Sequence, residues 1–132
     1  MKKYLSKIIA QDEHSLQMIS ALCSEAKDKA EEIKYLPKNS IFLLSLKRFS
    51  VETENKNLSI NSILKFDFVN SCRAKNINIS NKDLELEFLT IDIYKNKDQF
   101  EIRLVFDKNR IIELKSEIIE CNLEDQPQSN AT

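Results

Sequence analysis

Few residues in this chain are equipped for chemistry, and their spacing narrows the choice further. The single histidine, His14, could serve as a general base or a metal ligand, but either role needs partners within hydrogen-bond reach. It follows Asp12 and Glu13 in what reads as the first turn of a helix, where a solvated imidazole is expected. A multi-histidine metal site is excluded by count. Glu85 and Glu87 stand two apart in a strand-like pattern, so their backbones lie roughly 7 Å apart. Paired carboxylates near that spacing do glycosidase chemistry. Here Arg73 and Lys75 share one face and are opposite to them in sign, with Arg73 opposite Glu87 and Lys75 opposite Glu85 if the chain folds around 76–83. Cations there would keep both carboxylates ionised, whereas a general acid must hold a proton. A salt-bridged outer face is the expectation.

Cys23, Cys72 and Cys121 are odd in number, far apart and free of any C-x-x-C pair. Neither a zinc site nor a disulfide framework is indicated, and free thiols in a reducing cytoplasm are expected. Cys23 falls on an apolar helix face, where a thiol packs as a small hydrophobe. It lacks the electropositive setting of a reactive thiolate. Lys47 and Arg48, with Arg73, Lys75, Phe49 and Phe66, suggest a ribbon for single-stranded nucleic acid, aromatics stacking bases and cations holding phosphates. Adjacent strand residues point to opposite faces, however, so Lys47 and Arg48 cannot share one patch. Arg48 has the parity of Leu46, which aims it at an apolar face. Either it points inward and needs a buried acidic partner, as a structural or ligand-binding hot spot, or it snorkels at the sheet edge. Arg48, Lys47, Arg73 and Tyr35 are therefore the expected ligand or partner contacts. No catalytic, cofactor-binding or metal-binding residue is assigned.

The elements that must position these residues start with a helix over 12–25. Asp12 can cap it, and Leu16, Ile19, Cys23 and Ala26 recur on one face, widened by Met18 and Leu22. The periodicity also permits the helix to continue through Ala30 and Ile33, while the competing reading makes 27–36 a strand with Ile33 and Tyr35 on one face. Pro37-Lys38-Asn39 turns the chain. From Ser40 the period becomes two. Residues 40–52 read as a strand that the polar stretch Thr53–Asn57 ends. Leu58, Ile60, Leu64, Phe66 and Phe68 form the apolar side of the next. Between 84 and 94 the apolar parity jumps from Leu84, Leu86 and Phe88 to Leu89, Ile91 and Ile93, the mark of a β-bulge. Ile93, Ile91 and Leu89 then face Phe100, Ile102 and Leu104 across Lys95–Asp98. A turn at Lys108-Asn109-Arg110 sets Ile112 and Leu114 against Phe106 and Leu104. Leu114, Ile118 and Cys121 also fit a short closing helix.

The chain contains no glycine, where average usage of about 7% would supply roughly nine. Phosphate-cradling loops, dinucleotide fingerprints, nucleophile elbows and EF-hand loops all need glycine for tight or positive-φ backbone. None can be built here in its usual form. With 20 Lys+Arg against 21 Asp+Glu, there is no global pull towards nucleic acid or anionic membrane. At 132 residues the chain can bury a core without disulfides or metal. Its basic start is broken by Ser6 and Lys7 and does not read as a signal peptide. No run approaches the length of a membrane span. A single domain over 1–125 with a disordered polar tail over 126–132 is expected.

Several stretches resemble a bacterial family known mainly from alphaproteobacteria, domain of unknown function 2948. They are Asp12-Glu13 with Leu16 and Ile19-Ser20-Ala21, Tyr35-Leu36-Pro37, Arg48-Phe49 before Glu52, Phe88-Leu89-Thr90-Ile91, and Ile118–Asp125. The resemblance implies a strand-like 27–36 and supplies no reaction. The chain departs from the family pattern at Ser24-Glu25, Lys47 and Val51, and at Asp107-Lys108-Asn109, where the family has a glycine-rich turn.

The fold expected is α+β: a short N-terminal strand, an amphipathic helix, and a twisted antiparallel sheet or half-barrel of six or seven strands, pleckstrin-homology-like by analogy only. The function expected is a non-enzymatic cytoplasmic interaction module that binds a protein partner or itself, with no membrane, metal or cofactor. A small enzyme with a carboxylate–arginine pocket and a weak RNA or single-stranded DNA binder are the alternatives.

Overall fold

The computed structural model describes residues 7–49, 59–78 and 80–127. Strand β1 (Lys7–Ala10) leads into helix α1 (Glu13–Cys23), followed by β2 (Lys27–Lys29), a 3-10 turn (Ala30–Glu32) and β3 (Ile33–Leu36). Next come β4 (Ile41–Phe49), β5 (Ser59–Phe66), β6 (Val69–Lys75), β7 (Glu85–Asn96), β8 (Gln99–Phe106), β9 (Arg110–Ser116) and β10 (Cys121–Asp125). The expected α+β class and N-terminal strand are present, but among the described residues the sheet holds ten strands rather than six or seven. The undercount arose where short strands lack a full alternation of their own, as in β2 and β3. The polar stretch Thr53–Asn57, Leu58 and residues 128–132 of the expected tail lie outside the described residues.

Helix α1 starts where Asp12 Oδ1 accepts the Ser15 N–H at 2.7 Å. It buries Leu16, Ile19, Ser20 and Cys23, while Met18 is exposed and does not widen the stripe as expected. Glu25 takes a positive φ of 69°, and its N–H donates to Phe88 O at 2.8 Å. Ala26 O then accepts from Phe88 N. Pairing with β7 thus takes over the backbone groups a longer helix would need, and 27–36 runs as two short strands around the 3-10 turn.

All pairings are antiparallel, in the order β1-β10-β5-β4-β2-β7-β8-β9-β6, with β3 also on β4. The sheet curls: Val69 N, at the start of the last strand in that order, donates to Ser40 O at 2.8 Å. Its inward side shares one core with α1, which packs on β7, β1 and β4; that core takes in Phe42, Leu44, Leu46, Leu64, Leu86, Phe88, Leu104, Leu114 and Leu123, all at most 2% exposed. Each such side chain contributes about 1.5–3 kcal/mol on leaving water.

The bulge is where the parity jump placed it, between Phe88 and Thr90. Leu89 is the extra residue and faces solvent. Ser20 Oγ accepts the Ile91 N–H at 2.8 Å just beyond it and lies 3.1 Å from Thr90 Oγ1. The hairpin registers differ from expectation by two residues. Ile93 pairs Ile102 and Ile91 pairs Leu104, while Ile112 pairs Leu104 and Leu114 pairs Ile102. The first turn is tighter than expected, two residues at 97–98, and the second keeps three residues but lies one position earlier, at 107–109, with positive φ at Lys97, Lys108 and Asn109. A two-residue shift preserves every face, so alternation alone could not detect it.

Three further expectations are corrected. β6 pairs β9, not β7, so Arg73 stands opposite Glu113 and Lys75 opposite Ile111. Glu87 and Glu85 instead lie opposite Lys27 and Lys29 of β2. Phe68, at φ 60°, sits in the turn between β5 and β6 and is 55% exposed rather than apolar lining. The closing segment is strand, with Ile119, Cys121, Leu123 and Asp125 buried in alternation.

Candidate functional site

Inward parity on β4 carries Arg48 into the core, where it is 1% exposed. It does not snorkel. Its Nη2 donates to Asp125 Oδ2 at 2.8 Å and Oδ1 at 2.9 Å, and Nε donates to Oδ1 at 3.1 Å and to Ser62 Oγ at 3.2 Å. Ser62 Oγ in turn donates to Asp125 Oδ1 at 2.7 Å. The partners arrive from β5 and β10, which flank each other beside β4: Asp125 pairs Ser62 in register, and Arg48 pairs Ile60. Removed from water, a charge pair of this kind persists because it is forked and hydrogen-bonded.

Asp28 is the inward residue of β2 and is 3% exposed, and neither of its carboxylate oxygens has a hydrogen-bond partner. Desolvation, then the nearby Glu32 charge, pushes its carboxyl up to about 8. A carboxyl that is mostly neutral near pH 7 is the consequence. Cys23 lies within electrostatic range of Arg48, Asp28 and Asp125, yet burial pushes its thiol up to about 12. It is inert rather than nucleophilic. Among the described residues no group of three or more metal-ligating side chains occurs, and no helix is long and apolar enough to cross a membrane.

The other candidate contacts are dispersed. Lys47 points to the outer face of β4, opposite Lys27 and Asn61. Arg73 lies on the outer face of β6, opposite Glu113. Tyr35 spans the seam between β3 and β6, its hydroxyl donating to Val69 O at 3.1 Å. His14 is exposed on the helix. Glu87 forms an ion pair with Lys27, which keeps the paired-carboxylate face salt-bridged, through a different partner than expected. Phe66 is core, so the aromatic-and-cation ribbon is not assembled.

Asp125, Ser62 and Asp28 were not singled out from sequence, although a signal existed. Asp125 shares parity with Cys121 and Leu123, and Ser62 with Leu64 and Phe66. An inward arginine on a neighbouring strand makes an inward acid there the natural partner.

Shallow hollows lie on the outer surface. One of about 370 Å³ is lined by Glu32, Ser45, Leu46, Lys47, Asn61, Ser62, Ile63 and Gln126. One of about 260 Å³ adjoins it through Ile63 and includes Lys7, Leu43, Lys65 and Asn122. A third, of about 490 Å³, sits at the tip of the β7–β8 hairpin, away from all four candidate contacts. None is lined by Arg48, Asp28 or Asp125.

No curated protein and no solved structure matches the chain. A family model does match, over residues 6–132, and it spans β1, the capped helix, the Arg48 strand and the closing strand that brings Asp125. The chain thus belongs to the family described as protein of unknown function DUF2948.

Proposed function

We propose that residues 1–125 form a single domain that works as a non-enzymatic protein-interaction module in a reducing cytoplasm. One observation carries this reading. Arg48, the cation best suited by sequence to a reacting or ligand-binding centre, is committed to Asp125 and Ser62 in the packed interior. What the domain offers to a partner is outer sheet surface and, among the described residues, the edge of β1 and the part of β6 beyond Val69, which end the strand order. The curl of the sheet supports a half-barrel of pleckstrin-homology-like shape, a likeness that brings no ligand with it.

A carboxylate–arginine enzyme is the second reading, and Asp28 is what favours it, because a buried acid pushed up to about 8 by desolvation is the kind of group a general acid requires. Against it, the hollows described above do not reach either group. Sedimentation of the purified chain, with capture of binding proteins from a lysate of the source cells, tests the module. Self-association or a stoichiometric partner is expected. A strictly monomeric chain that recovers no partner overturns it.

A further inference from the structure

We propose that the outer face of β3, β4, β5, β10 and β1 docks an acidic, extended protein segment that also carries aliphatic side chains; the proposal rests on the interaction-module reading and names its partner. Register places Lys34, Leu43, Lys65 and Asn122 side by side across four strands. With strands about 4.8 Å apart, Lys34 and Lys65 flank Leu43 at roughly 10 Å from each other. Two residues along, Ile63 is half-buried between Ser45 and Glu124, and Lys47 and Lys7 stand at the margins. The two adjoining hollows meet at Ile63. An aliphatic floor is thereby ringed by cations.

These cations are poorly compensated. Lys7, Lys34 and Lys47 form no ion pair among the described residues, and Lys65 has only a 3.6 Å contact with Asp67. Glu124, opposite Lys7 in register, and Glu32 are the acids nearby. The outer face of the other half of the sheet differs in this respect. Asp92, Arg103, Glu113 and Arg73 alternate in sign across β7, β8, β9 and β6, and Lys75 and Arg103 have carboxylate partners at 3.2 and 3.3 Å. The charges of one face alternate in sign, while the other carries four lysines against Glu32 and Glu124, in a chain whose net charge is −1.

Carboxylates spaced along an extended segment would meet the lysines while its apolar side chains cover Leu43 and Ile63, the complementarity that steers and registers a complex. A nucleic-acid strand fits less well. Its bases need aromatic platforms, and Phe49, at the far end of β4, is the one aromatic among the described outward positions of these strands.

The test is fluorescence anisotropy with a labelled peptide of Glu-Ser-Leu-Ser repeats, which puts Glu and Leu on one face of an extended chain, compared with the same peptide carrying Lys for Glu or Ser for Leu, and with a single-stranded RNA oligomer. Binding of the Glu/Leu peptide alone is expected, with amide shifts at Leu43, Ile63 and Lys65 in NMR. Lys34→Glu with Lys47→Glu should weaken it by about tenfold or more, whereas Lys115→Glu on the compensated face should not. Circular dichroism checks that both variants fold. Equal binding by the double variant, binding of the Lys peptide, preference for RNA, or no binding at all overturns the proposal. If self-association or a captured partner survives the double variant while the peptide fails, this face is not the dock and the module reading stands. If no partner or self-association is found with any variant, the module reading itself has failed.

Discussion

Arg48 and Asp28 show two ways in which a charged side chain survives burial. Arg48 is neutralised by a fork to Asp125 and by Ser62. Such a pair contributes little compared with a well-packed apolar replacement, but breaking it strands a charge in the core. Arg48→Met should therefore lower unfolding stability by about 3–5 kcal/mol in urea titration, and adding Asp125→Leu should recover most of the loss. If the single variant is as stable as the parent, the pair is not buried as described. Asp28 instead gives up its charge. Its carboxyl moves from 3.8 to about 8 on folding, so between those values the folded chain holds a proton that the unfolded chain has released. Stability should fall as pH rises from about 4 to about 8, by up to about 1.4 kcal/mol per unit, and then level. Glu32 and Cys23 are the titratable neighbours, and Cys23 ionises only far above this window. Asp28→Asn should flatten the slope; an unchanged slope would assign the effect to another group. Arg48's inward aim was readable from its parity with Leu46, but the acid that meets it lies 77 positions away, beyond any local pattern.

At the level of elements, the missing glycine has a cost. Lys97, Lys108, Asn109, Asn76, Ser40, Glu25 and Phe68 all take positive φ, where a Cβ crowds the neighbouring carbonyl and costs roughly 1–2 kcal/mol per residue. Lys97, exposed at the tip of the β7–β8 hairpin, is the cleanest place to measure it. Lys97→Gly should raise the stability by on the order of 1 kcal/mol, less the added freedom of the unfolded chain. Thermal or urea unfolding reads this directly, and a fall in stability would mean that the lysine side chain makes a contact that offsets the strain. These same turns explain why strand existence was legible and hairpin register was not. Turn composition suggested a longer connection at 95–98 and one placed a residue too late at 108–110, and left-handed lysine is not a residue preference that sequence announces. The bulge at Leu89 was legible because it leaves a trace in parity. The capped helix was legible because Asp12 and the spacing of Leu16, Ile19 and Cys23 agree.

The whole molecule is held by the sheet closing over α1, so groups from distant segments meet in one interior. Cys23 from α1 and Cys121 from β10 are both 0% exposed, and burial raises both thiols. A thiol-reactive disulfide reagent should label Cys72 first, since it is only half-buried. Cys23 and Cys121 should then react together, at a rate that follows global unfolding as denaturant is added. Rapid labelling of either in the native chain would show that α1 or β10 detaches alone. The order of residues dictated which side chains face inward, where the helix begins, and which glycine-dependent chemistries are barred, because side-chain period, capping and backbone freedom are local properties. Strand neighbours, two-residue register, the Arg48–Asp125 junction and the imbalance of charge between the two outer faces emerged on folding. Alternation assigns a face but not a partner, and partners are selected by loop closure and by the packing of the entire core.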